Sequence, residues 1–424
     1  MATLVDIPPE LIDAIVEHIP DVASLKSCSL VSPIFRFPCQ KRLHHSLDLI
    51  FAGPDSQRDP RRTLEAVSRR FEESPHLAGF VTRLFVQLVS PWCGADNQSV
   101  SARLVFDVIG QVKKAKIVAP GHGPLSWSSS PPGLQSAVLE WLARRGSTEP
   151  LEELFLMRLS LPEAALPVVC SAAAFLFVHH CALEAMPTSQ QQATFRSVPP
   201  LQTRTLRRFE AHSSWSVLEW LGTTRKGGRG HVTVSDLALH ISNDKTALEK
   251  FSRLCASSAD TLTSLQLWTD LQSIDSELKT FLLQKFTTIL PCLCEVRVRF
   301  QHESLGLNTV LLDNSLWVFQ SALRPALLPR LTQITYVVPI AYSPDGAGLP
   351  GTFESDWSTP YDEFVVDHPT LTSFIWEPTF FRGDSPGRPT RGGPETAAIR
   401  KVLCRDAAHH AQSAREGTVG FPPR

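Results

Sequence analysis

The chain has 424 residues, 43% hydrophobic and 20% charged, with 41 Lys and Arg against 42 Asp and Glu. That length exceeds one ordinary core and predicts two or three domains or one long repeat array, and the composition excludes a disordered chain. The formal net charge of −1 excludes a broad basic surface for nucleic acid and an acidic tail.

The nine cysteines are odd in number and irregularly spaced, which predicts a reduced compartment, cytoplasm or nucleus, rather than a disulfide framework. The opening "MATLVDIPPE" lacks the apolar stretch of a secretory signal. The longest apolar run, "AALPVVCSAAAFLFVHHCAL" (164–183), is broken by Pro167 and His179–His180, so no membrane association is expected.

In chain order, the first elements predicted are helices. Pro9 suits a first helical position and Glu10 the positive end of the helix dipole. Leu11, Ile12, Ile15, Val16 and Ile19 then recur at helical spacing until Pro20. Asp21, with Ser24 three residues on, starts a second helix carrying Val22, Leu25, Cys28, Leu30 and Val31. Pro33 and Pro38 bracket a short third segment around Phe35. Three short helices make too small a core to stand alone.

Residues 52–62, "AGPDSQRDPRR", read as a polar linker, and beyond it an apolar-x-x-apolar-x-apolar frame recurs. "LEELFLMRLSL" (151–161) fits the leucine-rich pattern L-x-x-L-x-L-x-x-N/C-x-L except at Leu159. "AFLFVHHCAL" repeats that frame, with Cys181 at the ladder position, where a small side chain can satisfy backbone groups inside the turn. Weaker copies begin at 81, 206, 234, 262, 293, 331 and 371. Helical patterns lie between them, among them "RRTLEAVSRRFEES" (61–74), "GLQSAVLEWLARRG" (133–146), "KTALEKFSRLCASS" (245–258) and "DSELKTFLLQKFTTI" (275–289). Strand and helix in alternation form the unit of a solenoid. From Arg382 the chain turns Gly-, Pro- and Arg-rich and is expected to be mostly disordered, with a loosely attached helix within "ETAAIRKVLCRDAAHHAQSARE".

Catalytic and metal motifs are absent at the spacings chemistry needs. On a strand, His179 and Cys181 of "HHC" share one face and His180 takes the other, so the three cannot converge on an ion. "CLC" (292–294) has too short a spacing for zinc. The glycine-rich "GTTRKGGRGH" (222–231) runs into a strand rather than a helix, unlike a phosphate loop. "PGHGPLS" (120–126) lacks the strand–elbow–helix setting of a nucleophile, and "RGD" (382–384) has no use inside a cell. Trp141 and Trp220 read as packing anchors. No metal, cofactor or catalytic residues are expected, and the chain reads as non-enzymatic.

The opening block resembles an F-box: Ile7-Pro8, Glu10, Leu11-Ile12, Ile15, Ile19, then Asp21, Leu25, Cys28, Leu30-Val31-Ser32 and Phe35-Arg36. It departs from that family's pattern at Ile7, where Leu is usual, and at Phe35, where Trp is common. "LKSCSLVSPIFRFPCQKRL" followed by "ESPHLAGFV" is also similar to the expanded F-box-like proteins of mushroom-forming fungi. The resemblance implies docking on the Skp-type adaptor of a cullin-RING ubiquitin ligase through Ile7, Pro8, Leu11, Ile12, Ile15 and Leu25, with the repeats holding a target protein. The expected architecture is α/β: a three-helix F-box-like module (1–50), a linker and first connecting helix (51–75), an irregular leucine-rich-repeat-like β/α solenoid (76–381) and a tail (382–424). The rival expectation is a stand-alone repeat scaffold for protein–protein interaction, capped by the N-terminal helices.

Overall fold

The computed structural model describes residues 7–51, 60–89, 96–121, 123–184, 204–223, 232–241, 245–269, 287–300, 323–342, 368–382 and 399–402. The helical pattern at 275–286, "KGGRG", His122, Gly383–Asp384 and the tail beyond 402 lie outside the described residues. The chain divides into two compact units, Met1–Val232 and Thr233–Arg424. Both are mixed α/β.

Unit one opens with α1 (Pro9–Glu17), α2 (Val22–Val31) and α3 (Pro33–His44). The Asp21 carboxylate caps α2 by accepting from the Ser24 amide at 2.8 Å, and the Ser24 bonds hold its carboxyl below the usual carboxylate range. Val16, Leu25 and Cys39 form a small core flanked by Ile19, Cys28, Phe35 and Leu43. The Arg42 guanidinium donates to the Val16 carbonyl at the end of α1, which also accepts from the Ile19 amide. The third helix is longer than the prolines predict. It runs on through Pro38, because burial of Cys39 and the Arg42 bond outweigh the one intrahelical hydrogen bond that Pro38 removes.

The sheet of unit one begins at Ser46, within the span assigned to the helical module, and not at 76. In chain order it follows β1 (Ser46–Phe51), α4 (Leu64–Glu73), β2 (Arg83–Leu88), α5 (Asp96–Val108), β3 (Lys114–Val118), β4 (Leu125–Ser126), α6 (Pro132–Ser147), β5 (Leu151–Met157), β6 (Leu159–Pro162), α7 (Leu166–Ala172), β7 (Ala173–His179), β8 (Ala182–Glu184), β9 (Arg204–His212) and α8 (Trp215–Thr223). Strands β1, β2, β3, β5, β7 and β9 pair in that order, all parallel. A second short parallel ladder runs β4-β6-β8.

The frame read from the sequence is the hydrogen-bonding frame of this sheet. Leu47, Leu84, Ala115, Leu154, Leu176 and Phe209 stand in one cross-strand row, and Leu49, Val86, Ile117, Leu156, Val178 and Ala211 in the next. Every one of the twelve is buried. The irregular spacing therefore belongs to the crossovers. The rows also show two strands without a predicted copy, β1 and β3.

At the ends of the strands the ladder continues in side chains. Cys181 Sγ donates to the Leu156 carbonyl at 3.3 Å, and Ser214 Oγ accepts from the Cys181 amide and donates to the His212 carbonyl, both at 2.9 Å. Burial pushes the Cys181 thiol up to about 11 and raises that of Cys255 as well. Since the thiolate is the nucleophile, iodoacetamide at mildly alkaline pH is expected to leave both cysteines unmodified until the chain unfolds, as peptide mass mapping would show.

Gly146 near the end of α6 marks a close approach to α7. A Cβ there would lie 2.7 Å from Ser171 Oγ and 3.0 Å from the Ser171 carbonyl oxygen. Alanine ordinarily improves a helix by about 1 kcal/mol over glycine. Here the backbone contact reverses the sign, and Gly146→Ala is expected to destabilise by about 1–3 kcal/mol in denaturant unfolding.

Unit two, described by itself, contains β10 (Val232–Ile241), α9 (Lys245–Ser257), β11 (Ser264–Thr269), β12 (Glu295–Phe300), β13 (Gln333–Tyr342) and β14 (Ser373–Arg382). The strands pair in that order, parallel, and β15 (Ile399–Val402) adds antiparallel to β14. Residues 399–402, expected in a helix, are thus a short strand. Leu237, Leu265, Val296, Ile334 and Phe374 make one buried cross-strand row. Among the described residues no helix is long and apolar enough to cross a membrane.

Candidate functional site

Two surfaces of unit one stand out, and the helical module supplies the first. Its predicted stripe on α1 splits into two halves. Ile12 and Val16 turn inward and are 3% and 2% exposed, whereas Leu11 and Ile15, one turn apart, are 56% and 49% exposed. Of the predicted docking residues, Pro8 is exposed, Ile7 is half-buried, and Leu25 joins Ile12 in the interior. Ile12 and Leu25 therefore build the module rather than its surface. Val22, Leu30 and Val31, predicted as part of the second helix's apolar set, are exposed on α2, Leu30 at 83%. Phe37 on α3 is exposed too, although its ring meets Phe80 edge-on at 5.0 Å. Lys41 and Asp13, 3.6 Å apart, form an exposed ion pair between α3 and α1.

The second surface is the sheet face opposite the buried rows. Along a strand, side chains alternate between faces, so the residues between the frame positions face outward together. Three cross-strand rows result: Lys114, Glu153, Phe175 and Arg208; then Phe85, Lys116, Phe155, Phe177 and Glu210; then Met157, His179 and His212. The rings form a continuous patch. Phe155 lies 5.7 Å from Phe175 and 5.1 Å from Phe177, and Phe177 stacks on His179 at 6.2 Å and meets His212 at 5.6 Å. No motif marks this face. The available signal was the large rings at outward positions of "ELFLM" and "AFLFVHH", where a solvated face would carry polar residues.

The "HHC" segment departs from strand alternation. His180 has φ +51°, so β7 ends at His179 and the two imidazoles meet at 4.3 Å instead of facing opposite ways. Cys181 is turned into the interior. Among the described residues no group of three His, Cys, Asp or Glu side chains could hold a metal ion. Trp141 is fully packed, as expected of an anchor, while Trp220 is only half-buried.

No family model matches the sequence, and no curated protein is significantly similar to it.

Proposed function

We propose that the chain is a non-catalytic substrate-recognition subunit of a Skp-cullin-F-box type ubiquitin ligase, working in the cytoplasm or nucleus. In this reading an F-box-like module of α1–α3 docks on a Skp-type adaptor, and a leucine-rich-repeat-like β/α region holds the target. The observation that carries it is the exposed apolar surface of the module. Leu11, Ile15, Val22, Leu30 and Val31 lie in water on a module whose buried apolar side chains are Ile12, Val16, Leu25 and Cys39 with their flanking residues. Apolar side chains left out on so small a module fit insertion into a partner's groove. The ligase would supply ubiquitin transfer, and this chain the positioning that raises effective concentration. The test is reconstitution of the purified chain with a purified fungal Skp-type adaptor, read by size-exclusion chromatography and calorimetry. A one-to-one complex is expected, and no binding at micromolar concentration refutes the proposal.

A second reading, a stand-alone scaffold capped by the helices, has its own support. The His45 carbonyl accepts from the Thr82 and Arg83 amides, both at 2.9 Å, and Phe37 packs on Phe80, so the module adjoins the first strands of the sheet. Removal of residues 1–45 separates the two. A docking module leaves a soluble, cooperatively folding fragment; a cap leaves one that aggregates or loses most of its stability.

A further inference from the structure

The outward face of β3, β5, β7 and β9 carries rings and an imbalance of charge. Its carboxylates are already engaged: Glu153 pairs with Lys114 at 2.5 Å, and Glu210 with Arg208 at 3.3 Å and His212 at 3.6 Å. Two fixed cations have no such partner. Lys116 is exposed and holds its ammonium 5.9 Å from the Phe85 ring centre. Arg158 donates to the Gly121 carbonyl. Among the described residues neither pairs with a carboxylate.

His179 lies between them. Its Nδ1 is buried without a hydrogen-bond partner, and its proton affinity is depressed to about 4, first by burial and then by His180, His212, Arg158 and Lys116. Side chains from β3, β9 and the turns after β5 and β7 therefore converge on this ring. Arg158, His180 and Ser213, each just past the end of its strand, all hold left-handed backbones, at φ 56°, 51° and 46°. For residues other than glycine that conformation is uncommon and has to be sustained by its surroundings.

We propose that this face binds an acidic peptide segment of the target protein. Its carboxylates would meet Lys116, Arg158 and His179, and a neighbouring apolar side chain would lie on the Phe155 and Phe177 rings. The proposal rests on the reading of the sheet as the target-holding part of the chain. Charge complementarity argues for an acidic occupant and the rings for an apolar neighbour. Nucleic acid fits less well, since its affinity grows with the number of phosphates neutralised and here two uncompensated cations stand among engaged carboxylates.

A bound carboxylate also raises the proton affinity of His179. The groups around that ring are Lys116 from β3, Arg158 after β5, His180 after β7 and His212 from β9, with Glu210 held against His212. Binding therefore takes up a proton between the free value of about 4 and the higher bound one, and affinity rises as pH falls from about 6.5 to about 5.

The experiment is selection from a phage-displayed random dodecapeptide library on the immobilised full-length chain, with counter-selection on Lys116→Glu. The expected winners place Asp or Glu beside Phe or Leu. As synthetic peptides they bind the wild-type chain, weaken on the order of tenfold with Lys116→Glu and with Phe177→Ala, and keep their affinity with Lys113→Glu. They also tighten on the order of threefold over the stated pH interval. Circular dichroism and thermal melting verify each fold, and Lys116→Gln replaces any charge reversal that fails to fold. Basic or uncharged winners, no enrichment, insensitivity to Lys116, or a single-stranded oligonucleotide bound more tightly with the same variant profile each overturn the proposal. The Leu11→Asp, Ile15→Asp double variant keeps the peptide readout, and Lys116→Glu keeps adaptor binding. The two proposals therefore fail separately.

Discussion

Replacing Leu11 and Ile15 together by aspartate is expected to weaken adaptor binding at least on the order of a hundredfold while leaving the melting temperature of the chain unchanged. Both side chains are about half exposed and lie outside the Val16–Leu25–Cys39 core, so the free chain loses little on substitution. Surface changes of this kind usually stay within about 0.5 kcal/mol. The complex responds differently, because an unpaired carboxylate buried in an apolar groove costs several kcal/mol. Even about 1.4 kcal/mol per site gives the stated loss. Ile12→Asp and Leu25→Asp are the internal contrast: each introduces a charge into the interior, and they are expected to abolish binding by melting the module. Binding lost with unchanged stability at Leu11 and Ile15, and with lost stability at Ile12 and Leu25, assigns the surface. An adaptor complex that survives the double variant removes it.

The division of the α1 stripe shows where sequence reading stops. Helical spacing placed Leu11, Ile12, Ile15, Val16 and Ile19 within one arc, but an arc that wide has an inner and an outer edge. Which edge is buried depends on how α3 crosses α1, and the contacts of Cys39 and Arg42 that set this crossing have no local signature. The strands were far more legible. In a parallel sheet, register follows the buried row, so aligning the frames that open at Leu151, Ala173 and Leu206 also aligned the hydrogen bonds. β3 escaped because its row position is Ala115, set among lysines, and β1 because no apolar residue opens its frame at His44. The ring and histidine patch was readable only in part. Phe155 and Phe177 stand out at outward positions, but their meeting with His212 joins residues far apart in sequence, and the left-handed turn at His180 was not encoded by a glycine.

Among alanine substitutions in unit one, Trp141→Ala should produce the largest loss of stability, about 3–5 kcal/mol, within the range for truncating a buried aromatic side chain. Trp141 sits on α6 with 2% of its surface exposed, and its indole lies 5.5 Å from the Phe106 ring of α5 at a tilt of 45°. Truncation leaves a cavity between α5 and α6, where Phe106 of α5 and Val138 and Leu142 of α6 are already buried and have little room to collapse. Trp141→Phe separates ring packing from the indole N–H. That Nε1–H is buried without an acceptor, and desolvating such a donor costs about 1–3 kcal/mol. Phenylalanine removes that penalty while leaving a smaller void, so its net loss is expected to be less than half that of alanine. Urea unfolding followed by far-ultraviolet circular dichroism measures both without relying on the fluorescence of the altered residue. Equal losses for the two variants would mean that the indole finds a partner in solution. A midpoint for Trp141→Ala close to that of the wild type would mean that the α5–α6 layer does not hold unit one together. Because a domain's whole stability is about 5–15 kcal/mol, the alanine variant also sets the scale for adaptor and peptide measurements. Variants of Leu11, Ile15 and Lys116 should melt with the wild type, well separated from Trp141→Ala.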